Sequence, residues 1–242
     1  MRIILVIVFS FIGSHLLIAQ SQVEQALVDA DSLFQAQKFT ESFKLYDHLL
    51  HTEKKSSPSM LLRMAYIKEG LGDYSLALYY LNLYYLQTSD KSALRKMEEL
   101  AEKKNLEGYT FNDFEFIKSV FFKYFDYIVY SLMAISLLLM AVIYRYKIKM
   151  EFRPVVPAIL NVLVLALLFY TLNYGREYHK AIIIKSNTYI MDGPSAGAEV
   201  VDIVTKGHRL PTYKKTDVWT ETEWNGKKAF IKTDKIKDIS LL

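Results

Sequence analysis

His48 and His51, beside Asp47, are the residues whose types and spacing come closest to metal chemistry: three apart on a helix, two imidazoles share one face. No third ligand accompanies them, and histidine near a helix C-terminus also answers the helix dipole. His179 and His208 have no nucleophile and orienting partner beside them. The chain lacks a glycine-rich phosphate loop, a nucleophile elbow and a metalloprotease helix, and it contains no cysteine, which removes disulfides, thiolate nucleophiles and zinc–thiolate sites. The expectation is a protein that is not an enzyme, with no catalytic, metal-binding or cofactor-binding residues and no cofactor.

The other residues suited to contact chemistry are aromatic: Tyr79, Tyr80, Tyr84 and Tyr85 in one helical stretch, and Tyr189, Tyr213, Trp219, Trp224 and Phe230 toward the C-terminus. Each is open to two readings, core packing or a partner-binding surface. A net charge of +4 with acidic and basic residues interspersed gives no nucleic-acid footprint, so the expected partners are proteins and the lipid bilayer.

The elements that must position these residues fall into modules. Residues 1–20 have a basic residue, an apolar stretch from Ile3 to Ile18 and small Ala19, the layout of a cleaved signal peptide. Tyr127–Tyr144 gives 18 residues without a charge and Pro154–Gly175 gives 22, each long enough to cross a hydrocarbon core of about 30 Å. Tyrosines and phenylalanines crowd the ends of both runs, as interfacial anchors do. Within the runs Ser131, Ser136 and Asn161 are polar, and Asn161 suits a hydrogen bond between the two helices. The connector, residues 145–153, carries Arg145, Lys147, Lys149 and Arg153 against Glu151, and the positive-inside rule places it in the cytoplasm. The segments on either side then face outward, and the expected location is the bacterial inner membrane with the N-terminal and C-terminal domains facing the periplasm.

Residues 21–108 contain a self-similarity with a period of 35: Ala30 matches Ala65, Phe39 matches Tyr74, Ser42 matches Ala77, and Leu49 matches Tyr84. Small residues allow close helix approach, and Gly72-Asp73 ends one helix and starts the next. These positions resemble the tetratricopeptide repeat, with two departures in the first unit: Ser42 where alanine is usual, and Gln37-Lys38 where Gly-Asp is common. The stretch Asp90–Asn105 is expected to cap the stack. Residues 109–126 read as an amphipathic aromatic helix leading into the first span (127–144), capped by Thr110, Asn112 or Asp113.

Residues 180–242 change period, with short β-rich runs divided by turn signals at Gly193-Pro194, Lys206-Gly207 and Asn225-Gly226. Five or six short strands are expected, closing into a small barrel. Gly193-Pro194-Ser195, Gly207, Trp219, Gly226 and Ala229-Phe230-Ile231 resemble the bacterial SH3-like domain, whose members more often show Gly-Trp-Val or Gly-Trp-Ile at the last of these. That resemblance implies binding of proteins or cell-wall peptides through Tyr189, Tyr213, Trp219, Trp224 and Phe230. The fold class expected is therefore multidomain: TPR-like α-hairpins, a two-helix transmembrane hairpin (spans 127–144 and 154–175) and a C-terminal SH3-like β-barrel. This order of segments is similar to that of repeat-containing membrane proteins of the Bat aerotolerance type known from Bacteroidota. It implies a non-enzymatic adaptor presenting two interaction modules to other envelope or inner-membrane proteins, or alternatively a membrane anchor whose barrel binds peptidoglycan.

Overall fold

The computed structural model describes residues 22–110, 112–149 and 153–240, so the signal-peptide expectation lies outside the described residues. Two compact units divide the chain, one ending at Leu81 and one running from Asn82 to Leu241.

The first unit is helical. Helix α1 covers residues 22–35, α2 Phe39–His51, α3 Pro58–Gly70 and α4 Tyr74–Thr88, whose last turns belong to the second unit. Ser57 caps α3 by accepting a hydrogen bond from the Met60 amide, with Pro58 at the first helical position. The pseudo-repeat positions Ala30, Ala65, Ser42 and Ala77 are all buried. Both departures of the first repeat have physical reasons. Ser42 donates its hydroxyl to the Ala30 carbonyl at 2.9 Å, so the small polar residue is satisfied inside the helix contact. Gln37 adopts φ +59° where Gly72, one period later, adopts φ +75°, so the turn geometry is kept without the glycine. Phe34, Phe39 and Tyr66 pack edge-to-face in a trio, and Tyr46 is fully buried.

Helix α4 is apolar on every side, and a helix of that kind is interior. Tyr79, Tyr80 and Tyr85 are accordingly buried, the core-packing alternative of their two readings; Tyr84 is half-buried and donates its hydroxyl to Asp90 at 3.1 Å. Asp90 caps α5 (Lys91–Lys103), whose buried stripe is Ala93, Met97, Leu100 and Ala101. Helix α6 spans Asp113–Lys123 and is capped by Asn112, which accepts from the Glu115 amide at 2.9 Å.

After a one-residue break at Tyr124, α7 runs from Phe125 to Lys149, and α8 from Val155 to Tyr174. The helix of α7 thus continues through Tyr144 into the first basic residues of the connector. Both helices are long and apolar enough to cross a membrane, and their apolar side chains are mostly exposed rather than packed inside protein. Ser136 donates to Asn161 Oδ1 at 2.8 Å across the pair, a buried hydrogen bond, whereas Ser131 is exposed. At the far end Asp126 meets Arg176 at 2.8 Å, and the Arg176 guanidinium lies 4.4 Å from the centre of the Phe125 ring.

The C-terminal part is an antiparallel sheet of seven strands rather than five or six: β1 Lys180–Ile183, β2 Thr188–Met191, β3 Val200–Val204, β4 Arg209–Thr216, β5 Trp219–Trp224, β6 Lys227–Lys232 and β7 Ile236–Asp238. The order across the sheet is β3-β2-β6-β5-β4-β1-β7. Asn225 and Gly226 both adopt positive φ, as the tight β5–β6 hairpin requires. One core cluster draws residues from all seven strands, from Ile190 and Val204 at one edge to Ile236 at the other. Flat, such a sheet would be about 30 Å wide at roughly 4.8 Å per strand, so it must curl around that core.

Candidate functional site

The outer face of β2 carries the site. Alternation along the strand buries Thr188 and Ile190 and turns Tyr189 outward, 52% exposed, directly opposite Ile203 of β3. A smaller buried cluster, Met191, Trp219 and Phe230 with Ala198 packed against it, lies beyond the main core. The 192–199 loop closes over this region: Asp192 and Glu199 are joined through a backbone hydrogen bond of 3.0 Å and through the Glu199 amide donating to Asp192 Oδ1 at 2.8 Å.

The result is a groove of about 370 Å³ with Met191 and Trp219 in its floor, Tyr189, Ala196 and Val200 on its walls, and Asn187, Lys232 and Lys235 at its rim. The Lys232 ammonium stands 5.8 Å from the centre of the Trp219 ring, and Lys235 pairs with Asp234 at 3.7 Å. Asp234 is held below the usual carboxylate range by a hydrogen bond from Lys185 and by the lysines around it. An apolar floor, an aromatic wall and a cationic rim suit an extended chain that carries an aromatic or aliphatic side chain and a carboxylate. Its titratable lining groups are the Tyr189 hydroxyl and the Lys232 and Lys235 ammoniums.

Tyr189 and Trp219 are therefore brought together, with Phe230 packed beneath them. The remaining sequence candidates lie elsewhere. Tyr213 is 55% exposed on β4, its hydroxyl 3.4 Å from Glu223. Trp224 is a core residue, the packing alternative of its two readings: its indole N–H donates to Asp202 at 2.9 Å and its ring meets His208 edge-on. His51 Nε2 lies 3.4 Å from Asp47, and the described residues contain no group of three or more metal-ligating side chains.

Sequence reasoning missed the polar junction that holds the sheet against the helices within the second unit. Arg209, the first residue of β4, has a side chain with no exposed surface. Its Nε donates to the Gly108 carbonyl at 2.6 Å, Nη1 to Asn82 at 3.1 Å and Nη2 to Glu115 at 3.2 Å, while its guanidinium stacks 5.2 Å from the centre of the Tyr109 ring. Glu115 also pairs with Lys180 of β1. Glu115 is the third residue of α6, where a capping glutamate would turn back on its own helix end; here it reaches across to the sheet. Backbone bonds reinforce the junction: the Arg209 amide donates to the Glu107 carbonyl at 3.0 Å, and Tyr109 donates its hydroxyl to the Gly207 carbonyl at 2.7 Å. Gly108, at φ +89°, has no room for a side chain, because a Cβ would sit 1.8 Å from the Arg209 carbonyl oxygen. The Glu107 amide donates to His208 Nδ1 at 3.1 Å, and burial lowers the His208 pKa, so the imidazole is neutral. Burial pushes the Tyr109 hydroxyl well above its ordinary range, so it stays a donor. Burial likewise lowers the Lys180 pKa, an effect that Arg209 adds to and Glu115 opposes.

No protein-family model matches the chain, and no curated protein matches it.

Proposed function

We propose that the chain is a non-enzymatic membrane-anchored adaptor. Its helical hairpins, of the tetratricopeptide kind, and its curled sheet, of the bacterial SH3-like kind, serve as protein-interaction modules on the periplasmic side of the inner membrane, in an envelope stress or aerotolerance complex. The observation that carries the reading is the Tyr189–Trp219 groove: it has the apolar floor and cationic rim of a binding site. Support for anchoring comes from the two long apolar helices with exposed flanks. The buried Arg209–Glu115–Lys180 junction fixes the grooved sheet to α6, the helix that precedes the first of them.

A photoreactive residue at Tyr189 in the full chain, activated in intact cells, is expected to join the groove to one envelope protein, with the adduct lost in Trp219→Ala. A second reading, a cell-wall anchor, is favoured by the lysine rim beside Trp219, which suits the carboxylates of peptidoglycan. Co-sedimentation of the detergent-solubilised full chain with sacculi, abolished by Trp219→Ala, would replace the adaptor reading with this one. Topology is tested separately in the cysteine-free chain: Ile148→Cys stays unlabelled by an impermeant maleimide in spheroplasts and Thr216→Cys reacts. The reverse pattern overturns the periplasmic placement.

A further inference from the structure

Helix α6 has two opposite faces. Glu115, Ser119 and Phe122 are buried, while Phe114 and Ile117 stand 69% and 65% exposed, with Phe121 one turn further along the same stripe. Tyr170 and Tyr174, in the last turns of α8, continue that apolar surface, and together these side chains line a groove of about 520 Å³. A contiguous exposed apolar surface of this kind marks a contact with something apolar. It runs on without interruption into the exposed flank of α8, which the foregoing reading places in the hydrocarbon. An amphipathic helix at that level lies in the interface plane with its apolar face toward the acyl chains.

Two charged side chains share the groove. Lys118 is half-buried and forms no ion pair among the described residues; its ammonium sits 5.4 Å from the centre of the Tyr178 ring. Burial pushes its pKa down, against the pull of Glu115 and Glu177. Glu177, on the rim, lies 3.1 Å from His179 Nε2. A headgroup with a phosphate alone would satisfy Lys118 and meet the Glu177 carboxylate with like charge. One that also carries an ammonium answers both.

We propose that this groove seats a bilayer phospholipid with a zwitterionic phosphate–ammonium headgroup, its phosphate on Lys118, its ammonium on Glu177 and its upper acyl chains along Phe114, Ile117, Phe121, Tyr170 and Tyr174. The proposal rests on α7 and α8 spanning the membrane. The full chain is reconstituted in vesicles of phosphatidylethanolamine and phosphatidylglycerol in equal amounts, extracted in mild detergent, and its retained lipids counted by native mass spectrometry. Phosphatidylethanolamine is expected in excess. Lys118→Gln lowers retention of both lipids about five-fold, the effect of one lysine at a membrane surface. Glu177→Gln keeps lipid but loses the preference, whereas His179→Gln, which removes the imidazole beside the same carboxylate, keeps the preference. A photoreactive phosphatidylethanolamine labels the peptide containing Ile117. Unchanged retention in Lys118→Gln, equal retention of the two lipids by the wild type, or no label near Ile117 overturns the proposal. Carbonate extraction separates the two levels: release of the wild type from membranes sinks the spanning reading, while an integral protein with an indifferent Lys118→Gln sinks the lipid seat alone.

Discussion

Each unit contains an arginine–carboxylate tie, and the two differ in how much water they see. Arg63 and Asp31, in the helical unit, retain 27% and 32% of their side-chain exposure, share the pair with the Tyr46 hydroxyl, and lie beside the Phe34 ring. Arg209 and Glu115, in the second unit, retain 0% and 8%, and their network extends to Asn82, the Gly108 carbonyl and, at its half-buried edge, Lys180. In the first case water still reaches both partners and can solvate the charge left behind when one is removed. In the second, removing one partner strands charge in the interior. The first tie decorates a helix contact that apolar packing already holds, and the second is the joint by which the sheet is positioned.

The comparison breaks most readily at Glu115. Glu115→Ala leaves Arg209 and Lys180 without their shared counter-charge and is expected to cost about 3–5 kcal/mol. At about 2–4 °C per kcal/mol, thermal unfolding of the full chain in micelles should begin on the order of 10 °C lower. A loss under about 1 kcal/mol would put the joint in the same class as Arg63–Asp31.

Gly108→Ala attacks the same joint through the backbone. It forces a side chain onto φ +89° and into the Arg209 carbonyl, and is expected to cost about 1–3 kcal/mol from the backbone alone, with added loss from the collision. Exposure of the 104–110 segment to hydrogen exchange is the measurement.

A smaller effect comes from pH. His208 is neutral in the fold, facing the Glu107 amide and the Trp224 ring, with the Glu107 and Asp202 carboxylates partly opposing its lowered pKa. The unfolded chain takes up a proton below about pH 6.5, so this contribution is complete above that pH and is lost as pH falls through it. Unfolding temperature is therefore expected to drop more between pH 7.5 and 5.5 in the wild type than in His208→Gln; equal slopes would remove His208 from the junction's energetics. Smallest is Asp31→Ala, expected to cost no more than about 1 kcal/mol by the same thermal measurement.

Much of the architecture is legible in the sequence because local signals carry it. Length and apolarity mark α7 and α8, a 35-residue period marks the hairpins, and turn pairs such as Asn225-Gly226 mark the strands. The seventh strand, β7, escapes the sequence pattern because it has only three residues and follows a 3₁₀ turn, leaving no periodicity to read. Of the aromatic candidates, alternation alone distinguishes Tyr189, outward on β2, from Ile190 inside. The same alternation separates Trp219, on the groove face of β5, from Trp224 five residues on, which points to the opposite face and into the main core. The junction was illegible for a different reason. Glu115 and Asn82 are separated from Arg209 by 94 and 127 residues, and a glutamate at the start of a helix reads as an ordinary cap partner until the sheet is folded against it.

The rigid joint between the sheet and α6 is tested most directly by a distance distribution. The native chain has no cysteine, so spin labels at Lys123→Cys on α6 and Lys214→Cys on β4 report without background in the reconstituted full-length protein. A single narrow distance peak that broadens when Glu115→Ala is added is the predicted result; a broad distribution already present with Glu115 intact would contradict the joint and return the sheet to the status of a tethered module.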